Sequence, residues 1–206
     1  MKTYKINTDF TEYTTAFLEE NAKHNLISKN DEKFLYEKHI YDSLAIKLFI
    51  EKYNIKKANI LDIGCGGGFP CLPIAIEFPD LQITGIDSIH KKINSVQSIT
   101  NKLNLKNLYL ICDRVENLKN KKFDIIISRA VADMSKICEY ALPLLKQNGY
   151  FIAYKSKKAL EEITNAETVL KKYNAKIIDI IEYTLPLDET YQRNLVCVQN
   201  CNLLEI

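Results

Sequence analysis

The spacing of apolar positions changes character near residue 57. Upstream, between about residues 8 and 53, no stretch alternates with period two. Phe10, Tyr13, Phe17 and Leu18 fall on one helical face. After a polar break at Asn25 to Asp31, a second set follows: Phe34, Leu35, Ile40, Leu44, Leu48 and Phe49. Two helical stretches are expected, the second capped by Asn30 or Asp31. His39 and Asp42 stand three apart on that second stretch and read as a surface pair or a local hydrogen bond.

From Ala58 onward short apolar runs alternate with amphipathic stretches. Strands are expected at 59–63, 81–86, 107–112, 123–128, 149–154, 176–183 and 194–199, and helices at 70–78, 89–103, 133–146 and 157–173. This alternation predicts an α/β fold, a largely parallel seven-stranded sheet with helices on both faces. No helical pattern separates the last two strands, so a hairpin turning near Leu185 to Arg193 should finish the sheet with an antiparallel strand at its edge. No linker or low-complexity run divides the chain. Residues 1–56 read as a helical extension packed on a single unit, 57–206.

Composition narrows the classes. The chain has 206 residues and a net charge of only +2, from 28 basic and 26 acidic side chains, which excludes a strongly cationic nucleic-acid coat but not a local basic patch. Six cysteines (65, 71, 112, 138, 197 and 201) lie mostly inside apolar runs without paired CxxC spacing, as expected of buried thiols in a reducing compartment. No secretion signal and no bilayer-length apolar run stand out, so a cytoplasmic protein is expected, with no metal and no membrane.

The chemistry concentrates where the first strand, Ile60 to Ile63, breaks into Gly64-Cys-Gly-Gly-Gly68 and a helical stretch begins. Glycines there let backbone N–H groups approach a nucleotide-like ligand, and a helix start adds free donors. A dinucleotide fingerprint needs G-x-G-x-x-G, but its third glycine position holds Phe69. What fits is G-x-G-x-G preceded by Asp62, the pattern of S-adenosylmethionine-dependent methyltransferases. Asp87, ending the second strand, is placed to accept both ribose hydroxyls, or else to cap the helix that follows. Asp113 and Glu116, after the third strand, are candidates for the adenine amine. Ser128 and Arg129, ending the fourth, should face the reaction. Neither an Asn/Asp-Pro-Pro-aromatic run nor a Pro-Cys nucleophile follows that strand.

Several runs resemble one family, the RsmG (GidB) methyltransferases of bacterial 16S ribosomal RNA. They are Asn21-Ala-Lys-His-Asn-Leu26, His39-Ile-Tyr-Asp-Ser43, Asp62-Ile-Gly-Cys-Gly-Gly-Gly-Phe-Pro70 with Leu72-Pro73, Asp87-Ser88 with Lys91-Lys92, Arg114-Val-Glu116, Ser128-Arg-Ala-Val-Ala132, Tyr154-Lys155 and Arg193-Asn-Leu195. The resemblance implies a Rossmann-like class I fold. It also implies S-adenosyl-L-methionine as cofactor and methylation of guanine N7 in 16S rRNA, on the RNA or the small-subunit particle, by a monomer. It implies cofactor contact at Gly64, Phe69, Val115, Glu116 and Arg129, alongside Gly66 and Asp87 from the glycine-turn argument, and it raises Lys155 and Arg193 as substrate residues. Two positions depart from the family pattern: Cys71, usually Gly, and Ser156, often Gly. Guanine N7 has a lone pair and no proton, so no catalytic acid or base is assigned. A methyltransferase for another RNA base or a small molecule, a dinucleotide oxidoreductase and a non-enzymatic ribosome-binding factor are the competing readings.

Overall fold

The computed structural model describes residues 3–119, 121–187 and 191–201. Helix α1 (Thr11–His24) ends at Asn25, whose φ of 49° takes the left-handed conformation that stops a helix. The short α2 (Lys29–Glu32) is capped by Ser28 rather than by Asn30 or Asp31. The Ser28 side chain accepts the Asp31 N–H, while its hydroxyl donates to the Asp31 carboxylate. Then comes a π-helical segment, Leu35–Tyr41, running into α3 (Asp42–Leu44) and α4 (Ile46–Lys52). The apolar spacing of this region is helical throughout, so the sequence reads it as one helix. The wider turn at Leu35–Tyr41 leaves no mark on that pattern, and such turns often sit at functional sites.

The alternating part holds β1 (Asn59–Ile63), α5 (Cys71–Glu77), β2 (Gln82–Asp87), α6 (His90–Lys102), β3 (Leu108–Cys112), β4 (Phe123–Arg129), α7 (Met134–Ala141) and β5 (Leu145–Lys155). There follow α8 (Ala159–Asn165), α9 (Glu167–Lys172), β6 (Ala175–Leu185) and β7 (Tyr191–Asn200). The helix expected to 146 stops at Ala141, and a 3₁₀ turn over Leu142–Leu144 carries Pro143, whose ring cannot continue an α-helix. The stretch expected as one helix over 157–173 is broken at Ala166 (φ −90°, ψ −4°), yet Ala159, Ala166, Val169 and Leu170 stay buried on one stripe.

The seven strands run in the order β3-β2-β1-β4-β5-β7-β6. The final hairpin is present, with Leu185 paired to Tyr191; the tip of the expected turn, 188–190, lies outside the described residues. Its placement corrects one expectation. The antiparallel strand β7 is inserted between β5 and β6, so it is not at the edge. Burial explains this: Leu195, Val196, Cys197 and Val198 are all buried, as an interior strand requires, whereas exposed and buried positions mix along β6.

Alternation within strands divides two cores. In β1, Ile60 packs toward α5, α6 and the N-terminal helices, while Leu61 and Ile63 pack toward α7, α8 and α9. Phe10, Tyr13, Phe17, Leu44 and Phe49 join the first core, so the N-terminal helices are built into it. Asp62 follows Ile60 onto that face and is fully buried, with Oδ2 accepting the N–H of Cys71 at the start of α5. Burial pushes its carboxyl up to about 7, because no water solvates the charge there.

Candidate active site

Two cavities open at the carboxyl ends of the strands, the usual place for ligands in such sheets. The first, about 440 Å³, is lined by the glycine turn, the end of β2 and the loop after β3, and includes Gly64, Gly66, Asp87, Val115 and Glu116. Gly66 has φ +53°, and a Cβ there would meet nothing nearer than 3.9 Å, so a side chain would occupy cavity rather than protein. Gly67 faces outward from the turn, where an added Cβ would lie 3.1–3.2 Å from Cβ and the carbonyl oxygen of Leu26. The N-terminal segment thus buttresses the back of the turn.

Asp87 ties the start of α6 to the glycine turn. Oδ1 accepts the Ile89 N–H just ahead of α6, and Oδ2 accepts the Gly66 N–H, each at 2.9 Å. A carboxylate oxygen has two acceptor sites, so one remains on each for a diol. In the loop after β3, Asp113 is occupied by the Arg114 N–H (2.7 Å) and the Asn117 amide (2.8 Å), which hold its carboxyl below the usual range and shape the 3₁₀ turn Val115–Asn117. Asp113 and Glu116 both line the cavity. An open glycine cradle, a carboxylate with free lone pairs and the apolar Ile86, Val115 and Val131 around it suit an adenosine-type cofactor.

Phe69 and Arg129 are placed differently from the other expected cofactor residues. Phe69 is buried against Phe17 (5.0 Å between ring centroids) and His39 (4.9 Å). The Arg129 guanidinium lies over the Phe69 ring, 5.2 Å from its centroid, and turns into the second cavity. Ser128 does not face the reaction as expected. It is buried, and its hydroxyl donates to the Ile63 carbonyl across the sheet.

The second cavity, about 420 Å³, contains Asp31, Lys38, His39, Asp42, Arg129 and Tyr154, with Lys155, Glu162 and Arg193 at its other side. Asp42 is its hub. It is buried rather than at the surface, and its carboxylate accepts from Tyr183 Oη (2.6 Å) and Arg129 (3.0 Å). Arg193 Nε stands 3.9 Å from it. Arg129 also donates to the Lys38 carbonyl and reaches His39 Nδ1, each at 3.2 Å. A guanidinium can only donate, so His39 Nδ1 is the acceptor and its proton sits on Nε2. Burial first, and the Arg129 charge second, push the His39 pKa down to about 4, leaving a neutral ring. Tyr154 donates to the Ser43 carbonyl (2.7 Å), and burial raises both phenols, Tyr154 and Tyr183.

Lys155 and Arg193, expected at the substrate, both line this cavity in different states. The Lys155 ammonium is spoken for by Glu162 (2.6 Å) and the Ala132 carbonyl (2.8 Å). Arg193 has no hydrogen-bond partner for its Nε. Sequence reasoning missed Tyr183 and Glu162, and read His39 and Asp42 as a surface pair or a local hydrogen bond, whereas each is held by Arg129. Tyr183 is a Tyr among the isoleucines of β6, a residue whose hydroxyl needs a partner when buried, and that was the available signal.

The two cavities share one lining residue, Ala130, which has φ +57° at the end of β4. Among the described residues no cluster of His, Cys, Asp or Glu is arranged to hold a metal, and no helix is long and apolar enough to cross a membrane.

Comparison with known proteins agrees with this geometry. The family described as "rRNA small subunit methyltransferase G" matches residues 6–195. Ribosomal RNA small subunit methyltransferase G of Lachnoclostridium phytofermentans is 37% identical over 92% of this chain and 79% of its own length. The protein of that name from Staphylococcus saprophyticus is 38% identical over 87% and 76%. Among solved structures, a putative class I S-adenosylmethionine-dependent methyltransferase from Listeria monocytogenes superposes with a TM-score of 0.67 at 16% identity, covering 94% of this chain and 68% of that one. A ribosomal protein L11 methylase from Lactobacillus delbrueckii gives 0.58 at 16% identity, over 76% and 77%. The fold is that of class I methyltransferases with S-adenosyl-L-methionine as cofactor, and the chain belongs to the rRNA small subunit methyltransferase G family.

Proposed function

We propose that this protein methylates N7 of one guanine in 16S rRNA, acting as a cytoplasmic monomer on the RNA or the small-subunit particle. The observation that carries this reading is the single-residue junction at Ala130 between a glycine-turn cavity and a second cavity walled by fixed cations. Gly64, Gly66, Asp87, Val115 and Glu116 would hold the cofactor, which supplies a methyl group activated on a sulfonium. The helical segment before residue 57 would contribute Lys38, His39 and Asp42 to the acceptor side.

Nothing on the acceptor side is poised to remove a proton. His39 is neutral, but its Nδ1 lone pair is committed to Arg129, and each carboxylate there is held by a cation: Asp42 by Arg129, Asp31 by Lys38 and Glu162 by Lys155. That suits N7, whose lone pair attacks without deprotonation. The residues' contribution is therefore positional: aligning donor and acceptor and excluding water can supply roughly 7–11 kcal/mol. Arg129, fixed by Asp42 and Phe69, points donors into the cavity and suits the guanine O6 beside N7. In an RNA helix the N7 edge lies in a groove too narrow for side chains, so the target base must be unpaired or turned out of its stack.

The test is methyl transfer from labelled S-adenosylmethionine to small-subunit particles from cells lacking the gene, followed by nucleoside analysis. Label in 7-methylguanosine at one site is expected. Label in another nucleoside would replace the N7 assignment, and no label on particles, naked RNA or assembly intermediates would reject the substrate.

A further inference from the structure

A third concavity, about 420 Å³, adjoins the acceptor cavity and shares Lys38 with it. It lies between the start of the π-helical segment and the β6–β7 hairpin and is lined by Lys33, Phe34, Glu37, Lys38, Leu187 and Tyr191. We propose that this groove is a stacking platform for an unpaired nucleotide of the RNA strand next to the target guanine. The proposal rests on the reading of the acceptor cavity given above and names what flanks it.

Three observations converge on a nucleotide. The groove holds two aromatic rings, Phe34, half-buried, and Tyr191, a large side chain left 42% exposed. Two ammonium groups stand over the Phe34 ring, Lys38 at 4.6 Å and Lys33 at 4.9 Å from its centroid. Lys38 is paired with Asp31 at 3.0 Å, but Lys33 makes no ion pair among the described residues. Interleaved rings and cations are the chemistry that single-stranded nucleic acid needs: a face for the base and a charge for the phosphate. Finally, Tyr191 and Arg193 are two apart on β7 and therefore share a face, and Arg193 lines the acceptor cavity. Tyr191 and Arg193 are therefore about 7 Å apart along the strand, joining the platform to the cavity beside it.

The lysines do not block the ring. At an exposed site a cation–π contact is weaker than base–aromatic stacking, and an ammonium that swings off the ring gains a phosphate oxygen instead. A protein segment would use the apolar rims of Pro186 and Leu187 but would leave both cations without a role.

The experiment uses the full-length protein, a short fluorescein-labelled single-stranded RNA containing guanine, and unmethylated small-subunit particles. Phe34→Leu keeps apolar bulk and removes the stacking face; Tyr191→Leu does the same at an exposed position where folding is not at risk. Each should weaken RNA binding roughly 5- to 150-fold. Each should also raise KM for particles, with kcat and S-adenosylmethionine affinity unchanged, and Phe34→Tyr should restore both. Unchanged RNA binding and unchanged KM in the two leucine variants would overturn the platform. A raised KM with unchanged RNA binding would assign the groove to a protein of the particle and overturn the RNA assignment. Wild-type protein that methylates no RNA, while the leucine variants still lose RNA binding, would sink the proposed reaction and leave the platform standing.

Discussion

Asp42 and Arg129, 87 positions apart in the chain, meet at 3.0 Å with side chains 6% and 14% exposed. The pair ties the N-terminal helices to the end of β4, and Phe69 supports the guanidinium from the other side. A buried pair of this kind costs more to break than to replace. Asp42→Leu should destabilise the fold by about 3–5 kcal/mol, a fall in Tm of roughly 6–20 °C, and Arg129→Met added to it should recover part of that loss. Asp42→Asn keeps an acceptor but removes the charge holding Arg129. It should lower kcat/KM for methyl transfer by about 10- to 150-fold with cofactor affinity retained. Parallel loss of both would place Asp42 in the cofactor's support instead.

The glycines of the turn should separate by function. Gly66→Ala faces open cavity and a positive φ of 53°, so it should cost about 1–2 kcal/mol of stability while sharply weakening S-adenosylmethionine binding. Gly68→Ala would place Cβ 2.3 Å from Leu72 Cδ1 and should lose the fold first. Thermal melts beside calorimetric titration of cofactor read the two effects. Tight cofactor binding in the Gly66 variant would end the close-approach argument.

Two buried groups give pH slopes of opposite sign. Asp62 has its carboxyl raised to about 7, so its stabilising contribution is full at acid pH, below the unfolded value of 3.8, and is lost as pH rises through about 7. His39 has its pKa lowered from 6.5 to about 4, so its contribution is full above 6.5 and is lost as pH falls through about 4. Between about 4 and 6.5 they oppose each other. Asp62→Asn preserves the acceptor for Cys71 and removes one slope. Denaturant melts should show the variant gaining on wild type as pH rises from about 4 to about 7, with a constant difference above that, and losing stability more steeply on acidification. Parallel curves would mean that folding does not raise the Asp62 carboxyl above its ordinary range.

Lys155 and Arg193 line one cavity but should fail differently. Lys155→Met strips Glu162 and the Ala132 carbonyl of a buried partner and should lower stability by about 1–3 kcal/mol. Arg193→Ala should leave melting nearly unchanged and raise KM for the RNA substrate. Equal effects on stability would make both structural.

Strand positions, the approximate places of the helices and the glycine turn were legible because they depend on local periodicity and on backbone geometry that few residue types allow. The position of Asp87 at the end of β2 was legible in the same way. The errors share another cause. Asp42 looked like a surface residue because its partners, Arg129 and Tyr183, are supplied by distant strands. Likewise β7 looked like an edge strand because pairing order is not written in local spacing, although its unbroken Leu195 to Val198 run hinted at an interior place. The direction of the Arg129 side chain depended on the same long-range pairing.

Among the described residues, Ala130 alone lines both the glycine-turn cavity and the cavity around Asp42. Apart from the segment 129–132, which contributes to both, the cavities draw on different stretches of chain: 31–42 and 154–193 for one, 63–66, 86–92, 113–116 and Tyr140 for the other. On the proposed reading, substitutions among residues 31–42 or 154–193 should alter the acceptor side while leaving the residues that line the glycine-turn cavity in place. The two halves can diverge at separate rates, and a lineage that changed its RNA target would carry its mutations on one side of this alanine.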